Sequence, residues 1–311
     1  MRVGPGIHAI DTFYVRPRMD ASHLIVDGDR AAFVDCGASP SVPHLLAALA
    51  RLGLGPEAVE TILVTHVHLD HAGGAGVLAA ACPRARVVVH PRGAQHLADP
   101  GRLVEATRAV YGAERFAAWY GEVLAVPAER IAAVADGARI AVGGRTLELL
   151  HTPGHALHHL CAFERDTGAL WSGDTFGVSY REFDTAAGAF IVATTTPSHF
   201  DPQQLHASLA RLRALRPRAV YLTHYSRVDE VERLGEDLER DIDALVAIAR
   251  EQAAPVPGRA RRIEARIFAH WCERLERHGF RADPARLHAL LDGDAALNAD
   301  GLDVWLARTG C

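Results

Sequence analysis

The segment Thr65-His66-Val67-His68-Leu69-Asp70-His71-Ala72-Gly73-Gly74 places three imidazoles and a carboxylate within a few positions of one another. Neutral imidazoles offer ring-nitrogen lone pairs and the carboxylate offers anionic oxygens, a borderline-hard donor set that suits Zn²⁺, Fe or Mn. His66 and His68, two apart, can point to one side while Asp70 and His71 reach the other. The apolar run Glu60-Thr-Ile-Leu-Val-Thr65 immediately before them reads as a buried strand. The donors are therefore expected on a loop held by the end of a rigid sheet. Gly73 and Gly74 allow close backbone approach before a helix expected near Ala75.

Four donors from one loop cannot complete a pair of metal sites, so partners must come from elsewhere. Three further strand ends supply them. In His151-Thr-Pro-Gly-His155 the Pro153-Gly154 pair forces a turn that presents His155. Ser172-Gly173-Asp174 sets an acid at the exit of an apolar strand, and Thr223-His224-Tyr225 sets a histidine in the same position. A metal pair can share a bridging water and bring its pKa from about 15.7 towards neutrality, giving a hydroxide nucleophile without Ser or Cys. Consistent with that chemistry, the chain has no G-x-S-x-G nucleophile motif.

The elements that must position these groups follow from pattern. His23 to Gly37 reads as two strands joined at Asp27-Gly28, followed by a helix from Val42 to Leu52 that Gly53 closes. Arg86–His90 is a further strand, and the stretch from Gly93 to Arg130 is helical and aromatic. Its Tyr111–Tyr120 part is either a lid over the metals or a satellite core. Strands resume in RIAVGGRTLELLH and LCAFERDTGALWSGD. A helix over Gln203–Leu215, the strand Ala219–Thr223 and an amphipathic helix over Glu230–Arg250 complete the main body. The run TTTPSHFD (194–201) is either a pocket rim or a loop ending in a helix cap. AAPVPG (253–258) is the linker to helices whose Ile263, Ile267, Trp271 and Leu275 form one apolar stripe. Residues 1–252 are thus expected to be a catalytic domain and 259–311 a helical extension. The stripe must be buried on that body or at a contact in a homodimer.

Composition removes other classes. The 311 residues carry 33 basic and 38 acidic side chains, and every basic one is Arg, which argues against a nucleic-acid partner. No apolar run reaches the roughly 20 residues of a membrane span. The start, MRVGPGIHAID, lacks the apolar stretch of a signal peptide, so a cytoplasmic location is expected. Cys36, Cys82, Cys161, Cys272 and Cys311 are scattered and odd in number, which points to reduced thiols.

THVHLDH, HTPGH, SGD and LTH in this order resemble the metallo-β-lactamase superfamily of metallohydrolases, over about residues 7 to 250. The resemblance implies an α+β fold, an αββα four-layer sandwich with the metal site along one edge of its two sheets. Carried over by position, His66, His68 and His155 look like the first metal site. Asp70, His71 and His224 look like the second, and Asp174 bridges both. The implied cofactors are two divalent ions, Zn first, with Fe or Mn as alternatives. An Asp at the bridging position is similar to the glyoxalase II and lactonase branches. It implies a metallohydrolase that cleaves an ester, thioester or lactone of a small-molecule substrate, with Asp70 handling the proton. Ala156, where glyoxalase II enzymes carry a hydroxyl residue, and the lack of a basic glutathione motif in the C-terminal helices depart from that branch. A persulfide dioxygenase of this fold uses one iron, which the complete seven-donor set argues against, and a phosphodiesterase is the other alternative. His159 is placed either to hydrogen-bond a ligand or to pack in its loop. Tyr180, Arg181 and Tyr225 are candidates to line the substrate pocket.

Overall fold

The computed structural model describes residues 1–195, 199–254 and 256–310. The chain divides into two compact units. The first comprises Met1–His151, His158–Gly173 and Pro217–Arg227; the second comprises Thr152–Leu157, Asp174–Arg216 and Val228–Cys311.

The first unit is built on two sheets. One has the order β1 (Arg2–Gly4), β2 (Ile7–Asp11), β3 (Ala21–Asp27), β4 (Arg30–Val34), β5 (Val59–Leu63), β6 (Arg86–Val89), β7 (Ile131–Ala133). Neighbours from β1 to β4 are antiparallel, and from β4 to β7 parallel. The β3–β4 hairpin turns at Gly28, whose φ of +60° lies in the left-handed region a tight hairpin needs. Parallel neighbours require crossovers, supplied by α1 (Val42–Arg51), α2 (Leu69–Ala72), α3 (Ala75–Ala81), α4 (Pro91–Ala98), α5 (Gly101–Tyr111) and α6 (Ala113–Tyr120). Successive strand residues face opposite sides, and the core follows that alternation. Phe33, Ile62, Val87 and Val89 pack with Leu45 and Leu49 of α1 and Leu78 of α3. Val34, Leu63 and Val88, the residues between, pack with Leu147, Leu149, Trp171 and Tyr221 of the other sheet.

That other sheet contains β8 (Arg139–Val142), β9 (Arg145–His151), β10 (Leu160–Glu164), β11 (Ala169–Gly173), β12 (Ala219–Leu222) and β13 (Ser226–Val228). Its spatial order is β13-β12-β11-β10-β9-β8. β8 to β11 pair antiparallel in turn, whereas β11 and β12 are parallel, and the chain between those two runs through the second unit.

The second unit carries α7 (Pro202–Ala214), α8 (Val231–Glu251), α9 (Arg259–Arg277) and α10 (Pro284–Thr309). The α9 stripe of Ile263, Ile267, Trp271 and Leu275 is fully buried, and α9 packs along α10 and against α8. The stripe thus finds its cover within its own chain. Trp271 also donates its Nε1–H to the buried Asp241 of α8 at 3.2 Å, and Asp241 accepts from the Ala193 amide at 2.7 Å.

Two sheets with flanking helices and a helical C-terminus are the fold class expected from sequence. Two local readings need correction. Asp70 and His71 sit on the one-turn helix α2, and not on a loop. The stretch 93–130 is helical only as far as Tyr120, apart from a single 3-10 turn at Ala128–Arg130. Cys36, Cys82, Cys161 and Cys272 form no disulfide among the described residues, and Cys311 lies outside them. Among the described residues no helix is long and apolar enough to cross a membrane.

Candidate metal centre

In the first unit, β5 ends at Leu63 and the chain delivers its histidines at once. His68 is the N-cap of α2, so the helical turn lifts Asp70 and His71 off the strand end. His224 arrives from the end of β12. Nε2 of His71 and Nε2 of His224 each lie 3.6 Å from Oδ2 of Asp70. The ligand atoms of these three residues all fall within 4.8 Å of one another.

What stands behind the two rings fixes their protonation. His71 Nδ1 lies 2.8 Å from Oδ2 of Asp35, and His224 Nδ1 lies 2.7 Å from Oδ1 of Asp20. A carboxylate accepts, so each Nδ1 carries the proton and each Nε2 presents a lone pair towards Asp70. Two lone pairs and an anionic oxygen turned towards each other in a buried place repel unless a cation lies among them. The donor set therefore fits a divalent metal. Asp35 is 1% exposed and also accepts from Thr65 N at 2.8 Å, Thr65 Oγ1 at 2.9 Å and Thr223 Oγ1 at 2.7 Å. A single carboxylate thus ties the ends of three segments together. Burial, only partly offset by the adjacent His224, pushes the Asp20 carboxyl up to about 6.

His66 and His68 form the other donor group of this unit. His66 Nε2 and His68 Nδ1 are 2.8 Å apart, and the Thr65 hydroxyl lies 3.2 Å from His66 Nδ1. His159 is fully buried with its ring stacked on His66 at 4.9 Å, and His158 lies edge-on to His68 at 5.9 Å. Gly173 lets β11 approach this stack. A Cβ there would stand 2.6 Å from His159 Nε2 and 2.7 Å from Thr65 Oγ1, at a φ of +47°.

In the second unit the Pro153-Gly154 turn forms as its sequence requires. Gly154 takes a φ of +129°, and the Pro153 carbonyl accepts from Ser208 Oγ at 2.6 Å. His155 follows, buried, with Nε2 3.4 Å from Oδ2 of Asp174. Tyr180 is buried, and its hydroxyl donates to Asp294 Oδ1 at 3.3 Å. Arg181 donates to the Ser179 carbonyl at 2.6 Å and pairs with Asp184 at 3.3 Å. Of the run 194–201, residues 196–198 lie outside the described residues. Asp201 at its end caps α7, accepting from Gln204 N at 3.0 Å.

Tyr225, in the first unit, is half-buried beside His224 in sequence. His151 stacks on His90, with ring centroids 4.3 Å apart. The aromatic stretch of α5 and α6 resolves as a satellite core, in which Phe116 and Tyr120 pack with Tyr14, Ala38 and Leu69.

Sequence reasoning missed Asp35 and Asp20. Asp35 carries a usable signal, since it leaves the apolar strand AAFV much as Asp174 leaves ALWSG. Asp20 carries none, lying between a loop and the start of β3.

Comparison with known proteins gives concordant results. The model of the metallo-beta-lactamase superfamily matches residues 15–224. The hydroxyacylglutathione hydrolase of Pseudomonas entomophila is 32% identical over 199 residues, 63% of this chain and 57% of that protein. The chain thus spans a little over half the length of that relative. Among solved structures, an archaeal metallo-beta-lactamase superfamily protein from Sulfolobus tokodaii superposes with a TM-score of 0.67 at 20% identity, covering 96% of this chain and 99% of the other. A metallo-beta-lactamase family protein from Thermus thermophilus gives 0.68 at 21% identity, covering 99% and 95%. At these identities the structural likeness speaks to fold alone.

Proposed function

Because this chain belongs to the metallo-β-lactamase superfamily, we propose that it is a hydrolase of ester, thioester or lactone bonds that works with two divalent cations, Zn²⁺ foremost. One observation carries the reading. His71, His224 and Asp70 turn two Nε2 lone pairs and Oδ2 on one another, while buried carboxylates hold both Nδ1 protons. We assign the seven sequence-derived donors to one ligand set. In it His66, His68 and His155 hold one cation, Asp70, His71 and His224 the other, and Asp174 serves both. The relative's name, hydroxyacylglutathione hydrolase, supports an acyl substrate over a phosphodiester.

When bound, such ions polarise a carbonyl oxygen and make water a nucleophile at neutral pH. The chain supplies the rest. Asp35 and Asp20 keep His71 and His224 in the tautomer that leaves Nε2 available. Asp70 has Oδ2 turned to the histidines, and its side chain, 21% exposed, is more open than that of Asp35 or Asp20. We assign to its Oδ1 the proton of the attacking water.

Protein loaded separately with Zn, Fe and Mn and offered thioesters, lactones, phosphodiesters and β-lactams tests the reading. Acyl substrates should turn over, and Asp70→Asn should lower kcat by about 10² to 10⁴ with the melting temperature unchanged. An active Asn variant refutes the role of Asp70, and phosphodiester cleavage alone refutes the substrate class.

A further inference from the structure

His155 is a ligand in the assignment above, and the group that fixes its ring is held by the last helix of the chain. Within the second unit, Nδ1 of His155 faces the backbone carbonyl of Thr194 at 3.4 Å, with the Thr194 hydroxyl at 3.5 Å. A carbonyl only accepts, so Nδ1 carries the proton and Nε2 presents its lone pair beside Asp174 Oδ2, 3.4 Å away. A separation of 3.4 Å is long for an N–H···O bond, and a small further shift would lose it. The placement of residue 194 therefore decides the tautomer.

Residue 194 lies between two anchored neighbours. Ala193 N donates to Asp241 Oδ2 of α8 at 2.7 Å. Thr195 N donates to Asn298 Oδ1 of α10 at 2.7 Å, and the Thr195 hydroxyl donates to the same oxygen at 2.8 Å. The Asn298 amide cannot turn over here. Its Oδ1 meets a backbone N–H and its Nδ2 donates to the carbonyl of Asp294 at 2.8 Å, so the flipped group would set donor against donor and acceptor against acceptor. Thr195 is fully buried and Asn298 is 3% exposed. Among the described buried residues of α10, Asn298 is the one polar side chain, amid Leu291, Ala295, Ala299 and Leu302. Asn is a poor residue for a helix interior, and a buried amide costs stability unless it is bonded. An apolar side chain would serve packing better at this position, so packing does not account for Asn298. The family match ends at residue 224, and α10 lies beyond it.

We propose that Asn298 is a positioning residue for the metal site: through Thr195 it holds the Thr194 carbonyl against His155 and so keeps Nε2 of that ligand open to a cation. The inference rests on the ligand assignment above and deepens it by giving the C-terminal helix a part in preparing the site.

Long-range ¹H–¹⁵N correlation spectra of the metal-free, full-length protein distinguish the two imidazole tautomers, and the His155 signals are identified by their loss in His155→Gln. Above the titration range of imidazole, wild-type His155 should be mostly the Nδ1–H form. In Asn298→Leu, close in shape but without the acceptor, the ratio of Nδ1–H to Nε2–H should fall about five- to tenfold, the effect of one net hydrogen bond. One of two zinc equivalents should also weaken by about 10- to 100-fold, read by competition with a chelator. Leu291→Ala, at a buried α10 position two turns earlier, should lower the melting temperature and leave both the ratio and the zinc affinity at wild-type values. A ratio that falls as far in Leu291→Ala as in Asn298→Leu would make Asn298 a packing residue and overturns the proposal. An unchanged ratio in Asn298→Leu overturns it too, as does a wild type in the Nε2–H form. Should Asn298→Leu not fold, Asn298→Ala, which overfills nothing, decides by the same ratio. No turnover is read, so a protein that shows these shifts but cleaves no ester sinks the hydrolase reading and leaves this inference standing. If the wild type binds no zinc, the metal reading fails, while the metal-free spectra still decide whether Asn298 sets the His155 ring.

Discussion

Replacing Asp35 by Asn isolates the part this carboxylate plays in preparing a metal ligand. Oδ1 of Asp35 accepts from the backbone amide of Thr65 at 2.8 Å, whereas Oδ2 accepts from His71 Nδ1 at 2.8 Å and from Thr223 Oγ1 at 2.7 Å. A backbone amide cannot turn away, so the side-chain oxygen in the Asp35→Asn variant must occupy the Oδ1 position. The reverse orientation strands a buried N–H, at about 1–3 kcal/mol. The side-chain NH₂ then faces His71 and Thr223. Thr223 can rotate its hydroxyl to accept. His71 can accept only by moving its proton from Nδ1 to Nε2, where it would point at Asp70 Oδ2, 3.6 Å away. The network remains satisfied, so the fold should lose only about 1–2 kcal/mol. The lone pair meant for the metal is gone. We expect affinity for one of two zinc equivalents to drop by about 10- to 100-fold, about 1.4–2.8 kcal/mol. Competition against a chromophoric chelator measures it, alongside thermal melts of the metal-free proteins. Two equivalents bound by Asp35→Asn as tightly as by the wild type would refute the tautomer argument.

Two further outcomes follow from backbone and burial. His23, 1% exposed between the sheets and with Nε2 unpartnered among the described residues, has its pKa driven by burial down to about 4. Because the unfolded chain takes the proton first, stability is full above about pH 6.5 and falls as pH drops towards about 4. Wild type should lose about 2 kcal/mol more than His23→Leu between about pH 8 and pH 5, read by urea unfolding; parallel losses would place the acid sensitivity elsewhere. Gly154→Ala would drive a Cβ into the backbone of Leu205 in α7 at a φ of +129°. A loss of about 2–5 kcal/mol is expected, and a melting temperature within a degree or two of wild type would show the turn to be more yielding.

The fold was legible where information is local. Alternating apolar residues and the turns at Gly28 and at Gly143-Gly144 placed β3, β4, β8 and β9 within three residues. Each ligand motif stood where a strand ends, so its residues could be named before their neighbours were known. The one-turn helix α2 escaped notice because four residues are about one helical period and leave no repeat to detect. The C-terminal stripe was visible as a stripe, but periodicity says that a face is covered and not by what. α8 and α10 of the same chain cover it.

What stayed hidden is the layer behind the ligands, and the reason is physical. A metal donor is recognisable because several of one chemical kind must crowd together at short spacing. The groups that orient donors act singly and across the chain: Asp35 reaches Thr65, His71 and Thr223, the last 188 positions away, and Asp20 reaches His224. Nothing near Asp20 in sequence marks it out from the other aspartates. Yet Asp35 and Asp20 are the residues that decide which nitrogen of His71 and His224 bears a proton. Sequence motifs thus name the atoms able to bind a metal, while their readiness to bind it depends on long-range pairs that only the folded chain brings together.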